Sequence, residues 1–328
     1  MRAQVLTGQG WKGIEQRDLP EPVPGPREVI VQVEACSLSF RDLLVARTTS
    51  DRIPLSDGAG RVVAVGEEVT EWSVGDHVAG CFFPRWLDGR ATPAAVATAL
   101  GADVDGMLAE RVALPADGVV AVPAGWSSAE AATLPCAALT AWNALVEGAR
   151  VRPGQTVLLL GTGGVSVFGL QFAKMLGARA IITSSRDEKL ARMAELGADV
   201  TINYAANPDW DHEVLESTDG EGVDVVLEVG GEGTFARSVN CVRLGGEIAL
   251  IGMVSGQGLV DPYPILQRRA VVRGVYVGSR RMFTEMVSAL EVNGTRPLVG
   301  ATFGFDEAVD AYRYLRSQDH VGKIVITL

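Results

Sequence analysis

Histidine and cysteine are scarce in this sequence of 328 residues, which has three histidines and four cysteines. None of them falls in a CxxC or HxxxH spacing, which argues against a cysteine-rich zinc module and against a disulfide framework. Basic residues are also few, since 29 Lys and Arg stand against 40 Asp and Glu, a net charge of −11. Because no compact basic stripe is present, nucleic acid is not an expected partner.

Long apolar segments are missing as well. No uninterrupted apolar run reaches the ~18–20 residues of a membrane span, and the N-terminal MRAQVLTGQGWKG lacks the apolar region of a signal peptide. We therefore expect a cytoplasmic protein with no membrane partner. Hydrophobic residues make up 47% and charged residues 21%, which provides ample core material, and the length predicts two domains. The 38 glycines favour a turn-rich α/β protein over a helical bundle.

The first 125 residues are predicted to form short strands between turns. Prolines at positions 20, 22, 24 and 26 disfavour helix there, and tight turns such as VGDHV at 74–78 separate apolar segments. This pattern favours a β-rich, partly open barrel. The pattern changes at Ser127, where Ser127 and Glu130 form a predicted capping box that begins an alanine-rich helix toward Gly148.

Apolar strands and helices alternate from Gln155 onward. Several strands are apolar throughout, which is typical of a parallel sheet covered by helices on both faces. The predicted strands are 157–160, 180–183, 201–202, 223–229, 247–251 and 270–277. The predicted helices are 165–176, one from a capping box at Ser185 to Gly197, and 234–244. The last part of the chain is predicted to hold a helix after Met282, a helix at 306–316 and a strand at 323–327.

A glycine-rich turn, GTGGVS at 161–166, joins the strand 157–160 to the helix that follows. In this setting the first glycine makes the tight turn and the second lets the backbone approach a pyrophosphate, while the helix N-terminus faces its negative charge. Ser166 takes the third glycine position as a small residue. The turn predicts a dinucleotide site built on Gly161, Gly163, Gly164 and Val165.

The tip of the next strand bears on the choice between NADH and NADPH. An NAD site usually presents Asp or Glu about 20 residues further on, whereas this strand ends Thr-Ser-Ser-Arg at 183–186. Hydroxyls and a guanidinium suit a 2′-phosphate, because they donate hydrogen bonds and supply positive charge. Ser184, Ser185, Arg186 and Lys189 therefore favour NADPH over NADH. The alternative is that they are ordinary capping and surface residues.

Several ordered motifs extend over essentially the whole chain. They are ACSLSFRD (35–42), DGAGRV (57–62), VGDHV (74–78), AATLPCAALTAWNAL (131–145), LGADVTINY (196–204) and GKIV (322–325). Together with the glycine turn, these motifs resemble the medium-chain dehydrogenase/reductase superfamily. The resemblance is to its zinc-free branch, which includes quinone-oxidoreductase-like and zinc-lacking alcohol-dehydrogenase-like proteins.

The resemblance implies an α/β fold in three segments. Residues 1–135 would form a GroES-like β-rich catalytic domain, and 136–276 a doubly wound, six-stranded Rossmann domain. Residues 277–328 would return to the catalytic domain. The resemblance further implies a homodimer that pairs through the sheet edge at 270–277.

The resemblance also bears on zinc. It places the metal-ligand positions of zinc-dependent relatives on Ser39, Ser56 and Cys136, with Asp57 at an adjacent acidic position. One thiol and two hydroxyls make a poor zinc site, so we expect no zinc, with a residual metal on Asp57 as the alternative. Cys136 is then expected to be a small buried side chain at the wall of the substrate pocket, and not a nucleophile.

Without zinc, hydrogen-bond donors near the nicotinamide must stabilise the developing oxyanion. Many relatives have Tyr where this chain has Phe40, so a phenolic proton donor is missing. Ser39, Arg41 and Ser56 are the candidate catalytic groups, and the alternative for Arg41 is a salt bridge with a neighbouring Asp. The candidate substrate-pocket residues are Phe40, Phe82, Trp86 and Cys136. For the aromatic residues of 81–110, the alternative is packing of this loop onto the barrel.

Further cofactor contacts follow from the resemblance and from the position of strand ends. Thr140 is expected to pack against the nicotinamide, and Tyr204 to lie near the adenosine phosphate, with a partly exposed strand-end aromatic as the alternative for Tyr204. Ligands bind at the carboxyl ends of strands in such sheets. The residues expected there are Val229, Gly252, Val277 and Ser279.

These observations predict a zinc-independent, NADPH-dependent oxidoreductase that acts on a small quinone, enone, aldehyde or ketone. Two alternatives stay open. One is a zinc-free alcohol dehydrogenase that uses NAD, and the other is a non-catalytic NADPH-binding protein on the same fold.

Overall fold

The computed structural model describes residues 1–256 and 258–328, which divide into two units. The first unit contains Met1–Leu139 and Val277–Leu328, and the second contains Thr140–Tyr276. The chain thus changes unit between Leu139 and Thr140, a few residues after the boundary expected from the sequence.

The first 131 residues form mostly short strands, as the turns between apolar segments predict for the first 125. The strands are β1 (Arg2–Thr7), β2 (Ile14–Asp18), β3 (Glu28–Leu38), β4 (Ser50–Arg52), β5 (Asp57–Val65), β6 (His77–Gly80), β7 (Arg111–Pro115) and β8 (Val119–Ala121). The helices are α1 (Phe40–Thr48), α2 (Pro93–Val96) and α3 (Ser128–Ala131). β3 is the longest strand and pairs antiparallel with β5 and β7.

Helix α1 corrects the expectation of strands and turns alone in this region. Its N-cap is Ser39, whose backbone N–H donates to the Asp42 carboxylate at 2.8 Å. Such a cap satisfies one of the first N–H groups of a helix and lets the chain turn out of β3. The capping box predicted at Ser127 is confirmed, since Ser127 N–H donates to Glu130 at 2.8 Å and Glu130 N–H donates to the Ser127 hydroxyl at 3.2 Å. Helical structure then continues through the π-helical turn Leu134–Ala138, α4 (Leu139–Trp142) and the π-helical turn Asn143–Gly148.

The second unit is built on a six-stranded sheet in which every neighbouring pair is parallel. Its strands are β9 (Thr156–Leu160), β10 (Arg179–Ser184), β11 (Val200–Asn203), β12 (Val223–Glu228), β13 (Val242–Leu250) and β14 (Val271–Gly274). Its helices are α5 (Gly164–Met175), α6 (Asp187–Glu195), α7 (Trp210–Glu216), α8 (Glu232–Cys241) and α9 (Tyr263–Arg268). The order β11-β10-β9-β12-β13-β14 confirms the predicted doubly wound Rossmann-type sheet.

Three local expectations in this unit are wrong. Helix α6 begins at Asp187 with Arg186 as N-cap and without a side-chain cap bond, so the capping box at Ser185 does not form. Helix α9 was not expected. β14 has only the residues Val271–Gly274 of the predicted 270–277 segment, because the left-handed backbone of Arg269 and Val277 interrupts extended structure on both sides.

The C-terminal segment completes the sheet of the first unit. It contains α10 (Arg280–Asn293), β15 (Val299–Gly304), α11 (Ala308–Ser317) and β16 (Lys323–Thr327). β16 pairs antiparallel with β3, so that Val325 lies opposite Ser37 and Ile324 opposite Leu38. This register brings the first residue of β16, Lys323, beside the residues that follow β3. In the described part of the chain, no helix is long and apolar enough to cross a membrane, and a cytoplasmic location stays a prediction.

Candidate functional site

Lys323 is buried in the first unit beside the end of β3. Its ammonium group donates to the Leu38 carbonyl at 2.6 Å, to the Ser39 hydroxyl at 2.8 Å and to the Asp57 carboxylate at 3.2 Å. The side chains of Lys323 and Asp57 are 2% and 0% exposed. An ion pair this deeply buried needs further hydrogen bonds to offset the loss of solvation. For Lys323, the Leu38 carbonyl and the Ser39 hydroxyl provide them.

Asp57 binds hydroxyl groups with both carboxylate oxygens. Its Oδ1 accepts from Ser56 at 2.7 Å, and its Oδ2 accepts from Ser37 at 3.3 Å and lies 3.5 Å from the Ser39 hydroxyl. Ser56 is fully buried, whereas Ser39 is partly exposed. Of the two serines at the positions implied by the resemblance, only Ser39 therefore reaches the surface.

Cys136 belongs to the same cluster. Burial, and to a smaller extent Asp57, raise the pKa of its thiol to about 12, although Lys323, Arg41 and a hydrogen bond from Ser39 oppose the rise. A thiol with this pKa stays protonated near neutral pH and is a poor nucleophile. This agrees with the expectation of a small buried side chain.

A divalent metal does not fit this set of groups. Three N, S or carboxylate ligands are typical of a catalytic zinc site, but here two positions are hydroxyls and only the third is a thiol. The remaining carboxylate, Asp57, is already paired with an ammonium group 3.2 Å away. Within residues 1–256 and 258–328, no three His, Cys, Asp or Glu side chains are grouped closely enough to hold a metal ion.

Arg41 forms a salt bridge with Asp42, which was the alternative to a catalytic role for Arg41. Its guanidinium lies 3.3 Å from the Asp42 carboxylate, donates to the Leu100 carbonyl at 3.2 Å and lies 4.6 Å from the centre of the Phe82 ring. Asp42 is 1% exposed, and burial raises the pKa of its carboxyl to about 6, although Arg41 opposes this rise. These contacts anchor the loop that contains Leu100 to the start of α1.

The aromatic residues proposed for the substrate pocket pack mainly against one another. Phe82 and Phe83 meet edge to face at 4.6 Å between ring centres, and Phe83 lies 6.1 Å from Trp86. Phe82 is 0% exposed, and the Trp86 indole N–H donates to the Gly89 carbonyl at 3.0 Å. Phe40, the first residue of α1, packs partly buried against the barrel core. The packing of the loop onto the barrel is thus prominent, and the role of these residues in substrate binding stays a prediction.

The glycine turn in the second unit has the geometry that a pyrophosphate requires. Gly161 has a φ of +73°, and its N–H donates to the Thr183 hydroxyl at 3.3 Å. A Cβ placed on Gly161 or Gly163 would meet nothing within 4 Å, so open space adjoins both residues at the N-terminus of α5. Free helical N–H groups and such open space fit an anionic phosphate. The residues present therefore fit a dinucleotide.

Close packing of α5 on the sheet was expected at Ser166, but it depends on Gly169. Ser166 is buried, and its hydroxyl donates to the Leu160 carbonyl at 2.6 Å. A Cβ on Gly169 would lie 2.7 Å from Leu159 and 2.8 Å from Leu227. Gly169, one helical turn further on, is thus the residue that lets α5 approach β9 and β12.

The tips of β10 and β11 lie side by side. Ser184 pairs with Asn203, and the Tyr204 N–H donates to the Ser184 carbonyl at 3.0 Å. Ser185 and Arg186 are exposed immediately after Ser184, Tyr204 is 42% exposed, and Lys189 lies in the first turn of α6. The four residues proposed for the 2′-phosphate therefore follow one strand end. Asp187 is the nearest acid, and its carboxylate accepts from the Asn203 amide at 2.6 Å.

The other strand-end residues divide between the two units. Thr140, Val229 and Gly252 belong to the second unit, whereas Val277 and Ser279 belong to the first. Thr140 and Ser279 are buried, and Ser279 caps α10 by accepting from the Met282 N–H at 3.3 Å. Val277 has a φ of +56°, which is rare for a β-branched residue and signals a strained backbone.

Glu228 and Lys323 are buried charged residues that sequence reasoning did not identify. Glu228 ends β12 with 0% exposure, and its carboxylate accepts from the backbone N–H groups of Gly230 and Gly231 at 2.8 and 3.0 Å. It also accepts from the Thr234 hydroxyl at 2.6 Å and from the Ser238 hydroxyl. A charged residue at one end of a largely apolar strand was the available signal, both for Glu228 in VDVVLE and for Lys323 in KIVIT.

Two family models match the chain. One is described as an alcohol dehydrogenase GroES-like domain and matches residues 25–124, and the other is described as a zinc-binding dehydrogenase and matches residues 164–292. The chain is also 42% identical over 327 residues to the zinc-type alcohol dehydrogenase-like protein C1773.06c of Schizosaccharomyces pombe (strain 972 / ATCC 24843). That alignment covers 96% of this chain and 94% of the relative.

Solved structures show the same fold. The crystal structure of an NAD-dependent alcohol dehydrogenase superposes with a TM-score of 0.91 at 32% identity, and the match covers 100% of both chains. The 2-octenoyl-CoA carboxylase reductase CinF, solved in complex with NADP and 2-octenoyl-CoA, has a TM-score of 0.89 at 25% identity. This match covers 99% of the present chain and 87% of CinF.

Proposed function

Because this chain belongs to the medium-chain dehydrogenase/reductase superfamily and is an oxidoreductase of that group, we propose that it is an NADPH-dependent reductase that works without zinc. Its substrates would be small quinones, enones, aldehydes or ketones. The observation that carries the proposal is the set of groups around Ser39, in which a buried Asp57–Lys323 pair and two hydroxyls stand where zinc-dependent relatives would have ligands.

In this proposal the second unit holds the cofactor. The open turn at Gly161 and Gly163 would bind the pyrophosphate against the N-terminus of α5. Arg186 and Lys189, with the hydroxyls of Ser184 and Ser185, would bind the 2′-phosphate. When bound, the nicotinamide supplies the hydride.

The first unit would act on the substrate oxygen. Of the three candidate catalytic groups, Ser56 is fully buried and Arg41 is bound to Asp42 and Leu100. Ser39 is partly exposed and carries a hydroxyl that can donate to a carbonyl oxygen. We therefore assign Ser39 as the catalytic residue, with Arg41 and Ser56 as its structural support.

The enzyme assignment is tested by the rate of NADPH oxidation over a panel of quinones, enones, aldehydes and ketones. We expect turnover with at least one of these classes, and we expect it to persist after dialysis against a chelator, with less than one zinc per chain by metal analysis. Tight NADPH binding without turnover on any class would instead support a non-catalytic NADPH-binding protein. Loss of activity on chelation, restored by zinc, would overturn the metal-free assignment.

The cofactor assignment is tested by the dissociation constants of NADPH and NADH for the wild type and for Arg186→Ala. Loss of a charged hydrogen bond to the 2′-phosphate should weaken NADPH binding by about 10-fold or more and leave NADH binding unchanged. Arg192→Ala, a matched change in the last turn of the same helix, should alter neither. If Arg186→Ala leaves NADPH binding intact and the wild type prefers NADH, the chain is an NAD-dependent alcohol dehydrogenase, a reading that the proximity of Asp187 would then explain.

We also propose that two copies pair through β14. This strand lies at the edge of the six-stranded sheet, and all four of its residues are exposed, among them Val271 and Val272 at 48% and 37%. An exposed, β-branched edge strand can extend its sheet by pairing with a second chain. Sedimentation should show a dimer for the wild type and a monomer for Val272→Pro, which removes a backbone donor. A wild-type monomer would reject this proposal.

A further inference from the structure

The buried ammonium group of Lys323 lies next to the one exposed hydroxyl of its cluster. We propose that Lys323 is a positioning residue that fixes and polarises the Ser39 hydroxyl, so that this hydroxyl donates to the carbonyl oxygen of the substrate. The Lys323 charge would thereby perform electrostatically what a metal ion performs in zinc-dependent dehydrogenases. This inference rests on the proposed carbonyl reductase function.

The direction of the hydrogen bonds follows from the chemistry of the groups. An ammonium group has three donors and no acceptor, and the three donors of Lys323 are directed to Leu38, Ser39 and Asp57. Ser39 must therefore accept from Lys323, so its own single hydrogen is the one that it can donate. Within the cluster its acceptors are weak, since Asp57 Oδ2 is 3.5 Å away and the thiol of Cys136 is a poor acceptor.

The charges around Ser39 sum to zero before any substrate binds. Two cations, Arg41 and Lys323, balance two carboxylates, Asp42 and Asp57, and each cation contacts one of the carboxylates. A neutral carbonyl adds no charge to this balance, whereas the oxygen of the reacting carbonyl becomes negative. This oxygen would be attracted to the Ser39 hydroxyl and to the Lys323 ammonium behind it, and little water screens the ammonium because Lys323 is buried.

The backbone holds Lys323 in place before any substrate binds. Lys323 is the first residue of β16, which pairs with β3 through Ile324 and Leu38, and its ammonium donates to the carbonyl of the same Leu38. The hydroxyl that it orients is on the next residue, Ser39. A donor fixed in this way needs no reorganisation during the reaction, which is the condition for effective oxyanion stabilisation.

The resulting step is balanced in atoms and electrons. The nicotinamide, when bound, would supply a hydride to the carbonyl carbon, and the π electron pair of the C=O bond would move onto oxygen. The Ser39 hydroxyl holds this oxygen through a hydrogen bond, and a water molecule then protonates it to the alcohol. The carbonyl compound would thus gain a hydride from NADPH and a proton from water, which leaves NADP⁺ and hydroxide.

A spectroscopic experiment tests the inference without requiring turnover. The probe is 4-(dimethylamino)cinnamaldehyde, a conjugated aldehyde whose absorption band moves to longer wavelength when its carbonyl oxygen is polarised. Bound to the wild-type protein with NADP⁺, it should show this red shift. The shift should be absent in Ser39→Ala and in Asp57→Asn/Lys323→Met, and it should be largely retained in Lys323→Arg.

The double substitution keeps the test valid if Lys323→Met alone does not fold, because it removes both buried charges together. The matched controls are Lys12→Met and Ser288→Ala, which lie on exposed positions and should retain the full shift. The absence of a red shift in the wild type, or a full shift that survives Asp57→Asn/Lys323→Met, would overturn the inference. If the shift behaves as expected but NADPH is never oxidised, the proposed function fails and the inference stands.

Steady-state kinetics then separate positioning from structural support. Ser39→Ala should lower kcat by about 100-fold with little change in KM, as is typical for removal of one oxyanion donor. Lys323→Met should lower kcat by a similar factor, and the two substitutions combined should lose no more than Ser39→Ala alone, since Lys323 acts through Ser39. Additive losses would show that Lys323 acts independently and would contradict the inference.

Discussion

Asp57 and Glu228 are both carboxylates with 0% exposure, but their partners differ in kind and in origin. Glu228 is bound by neutral donors that all lie within the next ten residues, Gly230, Gly231, Thr234 and Ser238. Asp57 is bound by one cation and by hydroxyl groups, on residues that extend from position 37 to position 323.

The difference shows that a buried charge bound by neighbours in the sequence and one bound by distant residues serve different purposes. The Glu228 cluster forms within a single strand-turn-helix segment, so it shapes the turn after β12 without help from distant residues. The Asp57 cluster forms only when β16 pairs with β3. It brings a positive charge to a partly exposed hydroxyl, which is the arrangement that a reactive site needs and that a structural turn does not.

The largest expected effect comes from breaking the charge pair in the first unit. Lys323→Met leaves Asp57 charged, buried and without its cation, so the free energy of unfolding should fall by about 3–5 kcal/mol. Urea unfolding followed by circular dichroism measures this change. Asp57→Asn/Lys323→Met should recover most of the loss, and a double variant as unstable as Lys323→Met would contradict the ion-pair explanation.

The second prediction compares the same chemical change at the two carboxylates. Asp57→Asn leaves Lys323 unpaired and should cost about 3 kcal/mol. Glu228→Gln should cost only about 1–2 kcal/mol, because the amide oxygen still accepts from Gly230, Gly231 and Thr234, and the Ser238 hydroxyl can turn to accept from the amide. Equal losses in urea unfolding would remove the proposed difference between the two clusters.

The third prediction concerns pH and the carboxyl of Asp42, which accepts from the Ser39 N–H. Its pKa of about 6 in the folded protein lies above the value of about 3.9 in an unfolded chain. The folded state therefore binds this proton more tightly, so this group favours folding most below pH ~4 and loses that contribution as pH rises through 6. The full change is about 3 kcal/mol, from two pKa units at about 1.4 kcal/mol each.

The comparison of wild type with Asp42→Asn isolates that contribution. Other carboxyls with lowered pKa values, such as Asp199 and Asp211, titrate in both proteins and cancel in the difference. The unfolding free energy of the wild type relative to Asp42→Asn should therefore decrease from pH 4 to pH 7. A constant difference over this range would show that Asp42 does not retain its proton.

Much of the second unit could be predicted from the sequence because its signals are local. The apolar runs around Leu158, Ile181 and Val226 predict three neighbouring parallel strands, and these strands lie at the centre of the sheet. The glycine turn is also local, since the φ of +73° at Gly161 is a backbone conformation that favours glycine. The strand ends follow from the same pattern to within a few residues.

Local sequence patterns gave wrong predictions where contacts with distant residues decide the local structure. Ser185 precedes acidic residues in the order of a capping box, yet the chain turns one residue later, and Asp187 accepts from Asn203 on the neighbouring strand. The short helix α1 was missed because it directly follows the long strand β3 within a region of strands and turns. His77 offered no identifiable partner in the sequence, but its ring lies 2.7 Å from the Ser128 hydroxyl, 51 residues away.

The scarcity of metal-binding residues was determined by the sequence alone, as were the alternation of strands and helices and the position of the phosphate-binding turn. Each depends on composition or on residues close together in the chain. Only the tertiary structure decided that Lys323 lies beside Ser39 and Asp57. The reason is physical. A cation can take the place of missing metal ligands only at hydrogen-bonding distance. The pairing of β16 with β3 brings Lys323 to that distance, although the two strands lie near opposite ends of the sequence.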